Sequence, residues 1–326
     1  MKVSICIPTF NQEKYVELAI RSAHEQTLKP FEIIVSNDCS TDGTKAILDR
    51  LEKEIPELKI IHQPINLGIA KNVDACLRAG SGNYIIRLDS DDWLMPEYTQ
   101  KLIQQLSLYP NAGYAHAAVQ EIDQDGKPTI IRRLARKSGF QTSDEALHKA
   151  VSGYRVAANI VMYRREALEK VNYVSFNINF AEDYYMVTSI SVAGYGNLYL
   201  NEILSNYRVW IDNNKVRQKR KLAEIEGLAK IFNDLLEPAF KKRNWNLSSI
   251  KSNRASFAKV HATCLGWSVY TKAEKEELAN SIYNLSSDKS VVFVVKSYLS
   301  GAGFIFDAYT HSVSGLKLLI KKFLFR

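Results

Sequence analysis

Through the first hundred residues, short continuous apolar runs alternate with stretches whose apolar residues recur every three or four positions. Val3 to Ile7 is such a run, rich in β-branched residues, the pattern of a parallel strand covered on both faces. Pro8-Thr9-Phe10-Asn11 ends it. From Asn11, read as an N-cap, Tyr15, Leu18, Ala19, Ser22 and Ala23 hold helical spacing. The unit then repeats. Phe31 to Val35 predicts a second strand, and Ile47, Leu48, Leu51 and Ile55 mark a helix up to Pro56. Leu58 to Ile61 predicts a third strand, and a helix after Asn66-Leu67-Gly68 ends at Gly80. Tyr84 to Leu88 is the fourth strand. Such alternation predicts a parallel, right-handed βα layer whose loops converge at one edge.

After a helix from Pro96 to Tyr109 the pattern changes. Gly113 to Ile122 reads as a longer strand, and Thr129 to Leu134 follows a polar turn cluster as its hairpin partner or as a mixed-sheet extension. Val156 to Tyr163 is another strand, Phe180 to Met186 opens a helix, and Leu198 to Leu200 and Leu204 to Trp210 read as short strands. From about Asn213 helix formers with frequent charges take over, which divides the chain into residues 1–212 and a helical region, 213–326. Val291 to Val295 and Gly303 to Phe306 are too short and polar to span a bilayer. The tail Leu316 to Arg326 mixes large apolar residues with lysines, as does a helix lying in an anionic lipid interface; an ordinary packed helix is the equal alternative.

Composition narrows the classes. A chain of 326 residues, 46% hydrophobic, can build one large domain and an appendage. Cys6, Cys39, Cys76 and Cys264 show no metal-ligand spacing, and the N-terminal apolar run is too short for a signal peptide, so a cytoplasmic, reducing setting is expected. The net charge of +8 favours an anionic partner. Nucleic acid is not expected, because the basic residues are not interleaved with aromatics and no reading motif is present. Arg132, Arg133, Arg136 and Lys137 read as a solvated loop. His261, in a helical apolar stripe, reads as a core residue.

The chemistry is expected where the fourth strand ends. Ile85-Ile86-Arg87-Leu88 runs into Asp89-Ser90-Asp91-Asp92, and acids at the carboxyl end of a strand in an open sheet face the ligand crevice. Asp89 and Asp91 can share a small hard cation with phosphate oxygens. A second acid pair, Glu182-Asp183, either complements a helix N-terminus or presents a general base.

The ordered set of Ser4 to Asn11, Asn37 to Thr44, Asn66-Leu67-Gly68, Asp89 to Asp92, Glu182-Asp183 and Tyr207-Arg208 resembles family 2 glycosyltransferases of the GT-A fold, over roughly residues 3 to 210. The resemblance implies an α/β, mainly parallel mixed sheet that binds a nucleotide sugar, followed by the C-terminal helical region. It implies inverting transfer from a nucleoside diphosphate sugar, with uracil or thymine expected and guanine open, to a hydroxyl of a growing cell-surface glycan or lipid-linked acceptor. Pro8, Thr9 and Phe10 match the strand-end positions that cradle the nucleobase, Asp38 the acid that hydrogen-bonds it, and Lys71 a basic position near the nucleotide. Asp89, Ser90 and Asp91 match the DXD motif, with Asp91 the metal ligand and Asp89 nearer the ribose while able to join it on the metal; the cation is magnesium or manganese. Asp183 matches the catalytic base, and Glu182 and Arg208 match flanking substrate-binding positions.

Two departures stand out. Trp210 occupies the place where many members have a histidine, with Asp212 or Asn213 as stand-ins, and Asn37 stands where many carry an acid. The departure at Trp210 motivates a second reading, a non-catalytic sugar-nucleotide-binding scaffold of a polysaccharide assembly complex. The tail suggests a peripheral position on the inner face of the plasma membrane, and assembly into a homo-oligomer is left open.

Overall fold

The structure is a computed structural model that describes residues 1–176, 178, 180–210 and 216–303. The chain forms two compact units, Met1–Ile211 and Asp212–Arg326.

In the first unit the alternating pattern yields β1 (Val3–Thr9), α1 (Val16–His24), β2 (Glu32–Asn37), α2 (Thr44–Glu54), β3 (Leu58–His62), α3 (Ile69–Ala79) and β4 (Tyr84–Arg87). β1 runs parallel between β2 and β4, and β3 is parallel to β2. The continuous apolar run of β1 has a simple cause. Ile5 and Ile7 pack into one core with Val16, Ala19 and Ile20 of α1, while Cys6 packs on the other face with Val73, Cys76 and Leu77 of α3.

Beyond β4 the sheet becomes mixed. β5 (Trp93–Leu94), α4 (Tyr98–Leu108), β6 (Ala112–Ile122), β7 (Pro128–Arg132), β8 (Gly139–Gln141), α5 (Ser143–Ala150), β9 (Val161–Arg164), α6 (Arg165–Lys170), α7 (Glu182–Val192) and β10 (Gly196–Arg208) complete the unit. The order across the sheet is β3-β2-β1-β4-β9-β6-β10-β5, with β7 on β6 and β8 on β10. β9 is antiparallel to β4 and β6, whereas β10 is parallel to β6.

Several expectations are corrected. Asn11 does not cap α1: it sits at φ 51°, and its Oδ1 accepts from the Thr41 N–H at 2.8 Å, so the helix starts later. Leu198 to Leu200 and Leu204 to Trp210 are not separate strands. Leu198 to Leu200 and Leu204 to Arg208 belong to one 13-residue strand, β10, whose register on β6 shifts between Leu200 and Ser205, where Asn201 and Glu202 are exposed, and Val209 and Trp210 follow it. Val156 to Ile160 is buried but unladdered, and the strand begins at Val161. The basic run is not simply solvated: Arg132 pairs with Glu121, Arg133 donates to Asn201, and Arg136 donates to Asn197.

The second unit is helical in its described part, with helices at Lys221–Lys230, Glu237–Lys242, Ser248–Ala262, Lys272–Leu285 and Lys289–Leu299. Val291 to Val295 lies in the last of these. His261 is buried, and desolvation pushes its pKa down to about 4, so it is a neutral core residue at pH 7. Among the described residues no helix is long and apolar enough to cross a membrane. The tail Leu316 to Arg326 lies outside the described residues, as do Asp212 and Asn213.

Candidate active site

The carboxyl edges of β1, β2 and β4 open onto a cavity of about 460 Å³. Asp38, beyond β2, lines one end, Asp89, Ser90 and Asp91, beyond β4, line the other, and Pro8 and Thr9 of the central strand β1, Phe10 just after it, and Arg87 of β4 complete the wall. The first end is built from loops stapled together. Glu13 Oε2 accepts from the Gly43 N–H at 2.7 Å, and the Gln12 N–H donates to Thr44 Oγ1 at 2.8 Å. The Asp38 carboxylate accepts from the backbone N–H groups of Leu67 and Gly68, at 2.7 and 3.0 Å, which draws the third loop onto the second. Gly68 adopts φ 80°, a conformation that disfavours a side chain. Lys71, in the first turn of α3, is exposed and stands outside the cavity lining.

The acidic turn between β4 and β5 is braced from β10. Asp92 is buried, its Oδ1 accepts from the Arg208 N–H at 2.7 Å, and desolvation pushes its pKa well up. Arg208 is 5% exposed, and its guanidinium donates to the backbone carbonyls of Asp91, Asp123 and Gln124. It also lies 4.2 Å from the ring centroid of Tyr15. Arg208 therefore bolts the turn in place and does not line the cavity.

Trp210 meets Asp91 directly. The indole Nε1–H donates to Asp91 Oδ2 at 2.7 Å, and the ring stands edge-on to Tyr15 with centroids 5.5 Å apart. Burial raises the pKa of Asp91, and the Trp210 hydrogen bond opposes that rise.

Asp183 enters from the first turn of α7, behind Ala181 at φ 62°. Its Oδ1 accepts from Arg87 Nη1, and the same guanidinium faces Asp89 through Nε at 3.0 Å. Burial lifts the Asp183 pKa to about 6, with Arg87 lowering it and Glu182 and Asp89 raising it. Glu182 is half-buried beside it and lies outside the cavity lining.

This set has the order of a nucleotide-sugar site, and the family model for glycosyl transferase family 2 matches residues 4–171. The chain belongs to glycosyltransferase family 2. It is thus a glycosyltransferase, and the scaffold reading is set aside. Within the family, it is 26% identical over 243 residues to a Bacillus subtilis (strain 168) protein named as the teichuronic acid biosynthesis glycosyltransferase TuaG, covering 74% of this chain and 92% of that one. It is 37% identical over 116 residues to the GalNAc(5)-diNAcBac-PP-undecaprenol beta-1,3-glucosyltransferase of Campylobacter jejuni, covering 35% of this chain and 36% of that one. Among solved structures, S. aureus TarS 1-349 superposes with TM-score 0.69 at 16% identity, covering 96% of this chain and 92% of that one. The same TarS fragment is known with UDP and with UDP-GlcNAc. The mannosyltransferase PcManGT of Pyrobaculum calidifontis, in complex with GDP-Man and Mn²⁺, superposes with TM-score 0.57 at 17% identity, covering 93% of this chain and 86% of that one. These neighbours establish the GT-A fold.

Family 2 membership raises the question of a divalent cation. Among the described residues no group of three or more His, Cys, Asp or Glu side chains is arranged to hold one. Asp91 commits one oxygen to Trp210, and Asp89 faces Arg87 with both of its oxygens, at 3.0 and 3.5 Å. The second oxygen of Asp91 is a hard donor on the cavity wall. That fits a magnesium- or manganese-type ion, which takes one or two carboxylates and draws its other ligands from phosphate and water.

Arg87, Asp92 and Tyr15 are the residues whose parts the sequence left unassigned. For Arg87 the signal was a full charge at the end of an apolar strand, since such a charge is buried only when paired.

Proposed function

We propose that this glycosyltransferase moves a sugar, with inversion, from a nucleoside diphosphate donor to a hydroxyl of a growing cell-surface glycan or lipid-linked acceptor. The observation that carries this is one cavity lined by Phe10, Asp38, Asp89 and Asp91, linked through Arg87 to Asp183. TarS complexes with UDP and UDP-GlcNAc support a uridine donor, with thymidine the close alternative; the GDP-Man complex of PcManGT keeps guanosine in the comparison. The names of the Bacillus and Campylobacter relatives support a surface-glycan or polyprenol-linked acceptor.

In this mechanism the base lies against Pro8, Thr9 and Phe10 and donates to Asp38, which already holds the neighbouring loop. Lys71 adds positive charge at the rim, the ribose lies toward Asp89 and Ser90, and the diphosphate toward Asp91. Asp183 accepts the acceptor's hydroxyl proton as that oxygen attacks the anomeric carbon opposite the leaving diphosphate. Only one Asp183 oxygen is engaged by Arg87, so the other is available for this transfer. Asp91 would hold a magnesium or manganese ion, which when bound neutralises charge developing on the diphosphate. The basic, apolar tail supports peripheral attachment to an anionic inner membrane face.

Calorimetric titration with UDP, dTDP and GDP, each with and without Mn²⁺, tests the donor half. Binding of one nucleotide that strengthens with Mn²⁺ is expected, and absence of binding by all three refutes the donor site. For the base, Asp183→Asn is expected to reduce turnover by about 10²–10⁴-fold while nucleotide affinity is kept. Wild-type turnover in that variant removes Asp183 from the mechanism.

A further inference from the structure

The guanidinium of Arg87 is shared between two carboxylates. Nε and Nη2 face the oxygens of Asp89 at 3.0 and 3.5 Å, and Nη1 donates to Asp183 Oδ1. The Arg87 side chain is 5% exposed, against 26% for Asp89 and 15% for Asp183. A planar guanidinium can hold two carboxylates in fixed directions, which a point-charge ammonium cannot.

The two ends of this bridge are anchored unequally. Arg87 ends β4 and is registered to Cys6 of β1 and Val161 of β9. Asp183 sits in the first turn of a helix whose N-cap, Ala181, adopts φ 62° and supplies no side-chain cap. Among the described residues no side chain caps that first turn, and the Arg87 guanidinium holds its Asp183 carboxylate from the sheet.

We propose that Arg87 is a positioning residue that holds Asp183 at a set reach from the donor-side carboxylate Asp89, tying the donor cavity to the acceptor side through one side chain. This rests on Asp183 being the base. Arg87 and Asp89 line the cavity and Asp183 does not, so in this proposal the bridge reaches from the cavity lining to the proton-accepting group. The charged and titratable groups around Asp183 are Arg87 and Asp89 from the end of β4, Glu182 from its own helix, Tyr163 of β9 and Tyr154. Among these Arg87 is the cation, and it offsets the repulsion among the acids.

The test compares Arg87→Lys, Arg87→Gln, Asp183→Asn and the double variant Arg87→Gln/Asp183→Asn in the full chain. Turnover is read as nucleotide release from the sugar nucleotide whose diphosphate binds in the calorimetric series, and UDP, dTDP or GDP binding reports an intact cavity. Arg87→Lys keeps the charge and loses the fork, so kcat is expected to fall about 100-fold while donor KM changes less than about threefold. Arg87→Gln is expected in addition to move the acid limb of kcat upward by about 1–2 pH units. In the Asp183→Asn background, Arg87→Gln should cost no further turnover.

Wild-type kcat in Arg87→Lys, a raised KM with unchanged kcat, or losses that multiply independently in the double variant would each overturn the proposal. Should Arg87→Gln fail to fold, shown by circular dichroism and lost nucleotide binding, Arg87→Lys decides by the same kcat and KM readouts. Wild-type turnover in Asp183→Asn is a separate result: it removes the base assignment on which the positioning role rests.

Discussion

Trp210 gives Asp91 a hydrogen-bond donor where a histidine would offer a lone pair to a metal. In the proposed site the indole and a cation would compete for one carboxylate edge. Trp210→His is expected to raise Mn²⁺ affinity in the presence of UDP by about tenfold, and Trp210→Phe by less, since it frees an oxygen without adding a ligand. Paramagnetic titration of free Mn²⁺ measures both; equal affinity in all three proteins would show that the indole and cation do not compete. Asp183 carries a pH signature. With Asp183 as the proposed base, its pKa, raised to about 6 by burial, means that kcat should rise from pH 5 and level off above 7, since such a base works as the carboxylate. Stability takes the opposite sign. A carboxyl group with a raised folded-state pKa contributes stability below its unfolded value, and this is lost as pH rises through about 6. The stability of Asp183→Asn relative to wild type should therefore improve between pH 4 and 8, and chemical denaturation at the two pH values checks this. Arg87 escaped assignment because its significance depends on Asp183, 96 residues away, which no local spacing encodes.

At the scale of elements, the parallel half was the most legible because it rests on local repetition. Each strand of β1 to β4 is an apolar run, and each helix among them carries a periodic face. Legibility fell where pairing partners are distant. Asn201 and Glu202 look like a turn in the sequence, yet the long ladder to β6 carries β10 through them. Val156 to Ile160 looks like a strand because it is buried, but burial alone does not supply a ladder partner. Asn11 has the chemistry of a helix cap and instead ties two loops together. β8 and β10 meet closely at Gly196, where an added Cβ would fall 2.1 Å from the Gln141 carbonyl oxygen. Gly196→Ala is accordingly expected to cost about 1–3 kcal/mol by overpacking, visible as a lower Tm in a thermal melt.

For the whole molecule, the net charge of +8 and the lysine-bearing tail set the remaining expectation. Deleting the residues after Ser314 should release the protein from anionic vesicles at low salt and leave nucleotide binding intact. Sedimentation with phosphatidylserine vesicles reads this directly, and full-length protein that ignores such vesicles would end the membrane proposal. The unit Met1–Ile211 also divides its labour unevenly along the chain. The cavity is lined by residues up to Asp91 and held by staples between residues 29 to 32 positions apart, whereas the proposed base, Asp183, arrives later on α7 and is bonded by Arg87. If the proposed roles hold, substitutions downstream of the acidic turn would alter acceptor choice while leaving the grip on the sugar nucleotide in place.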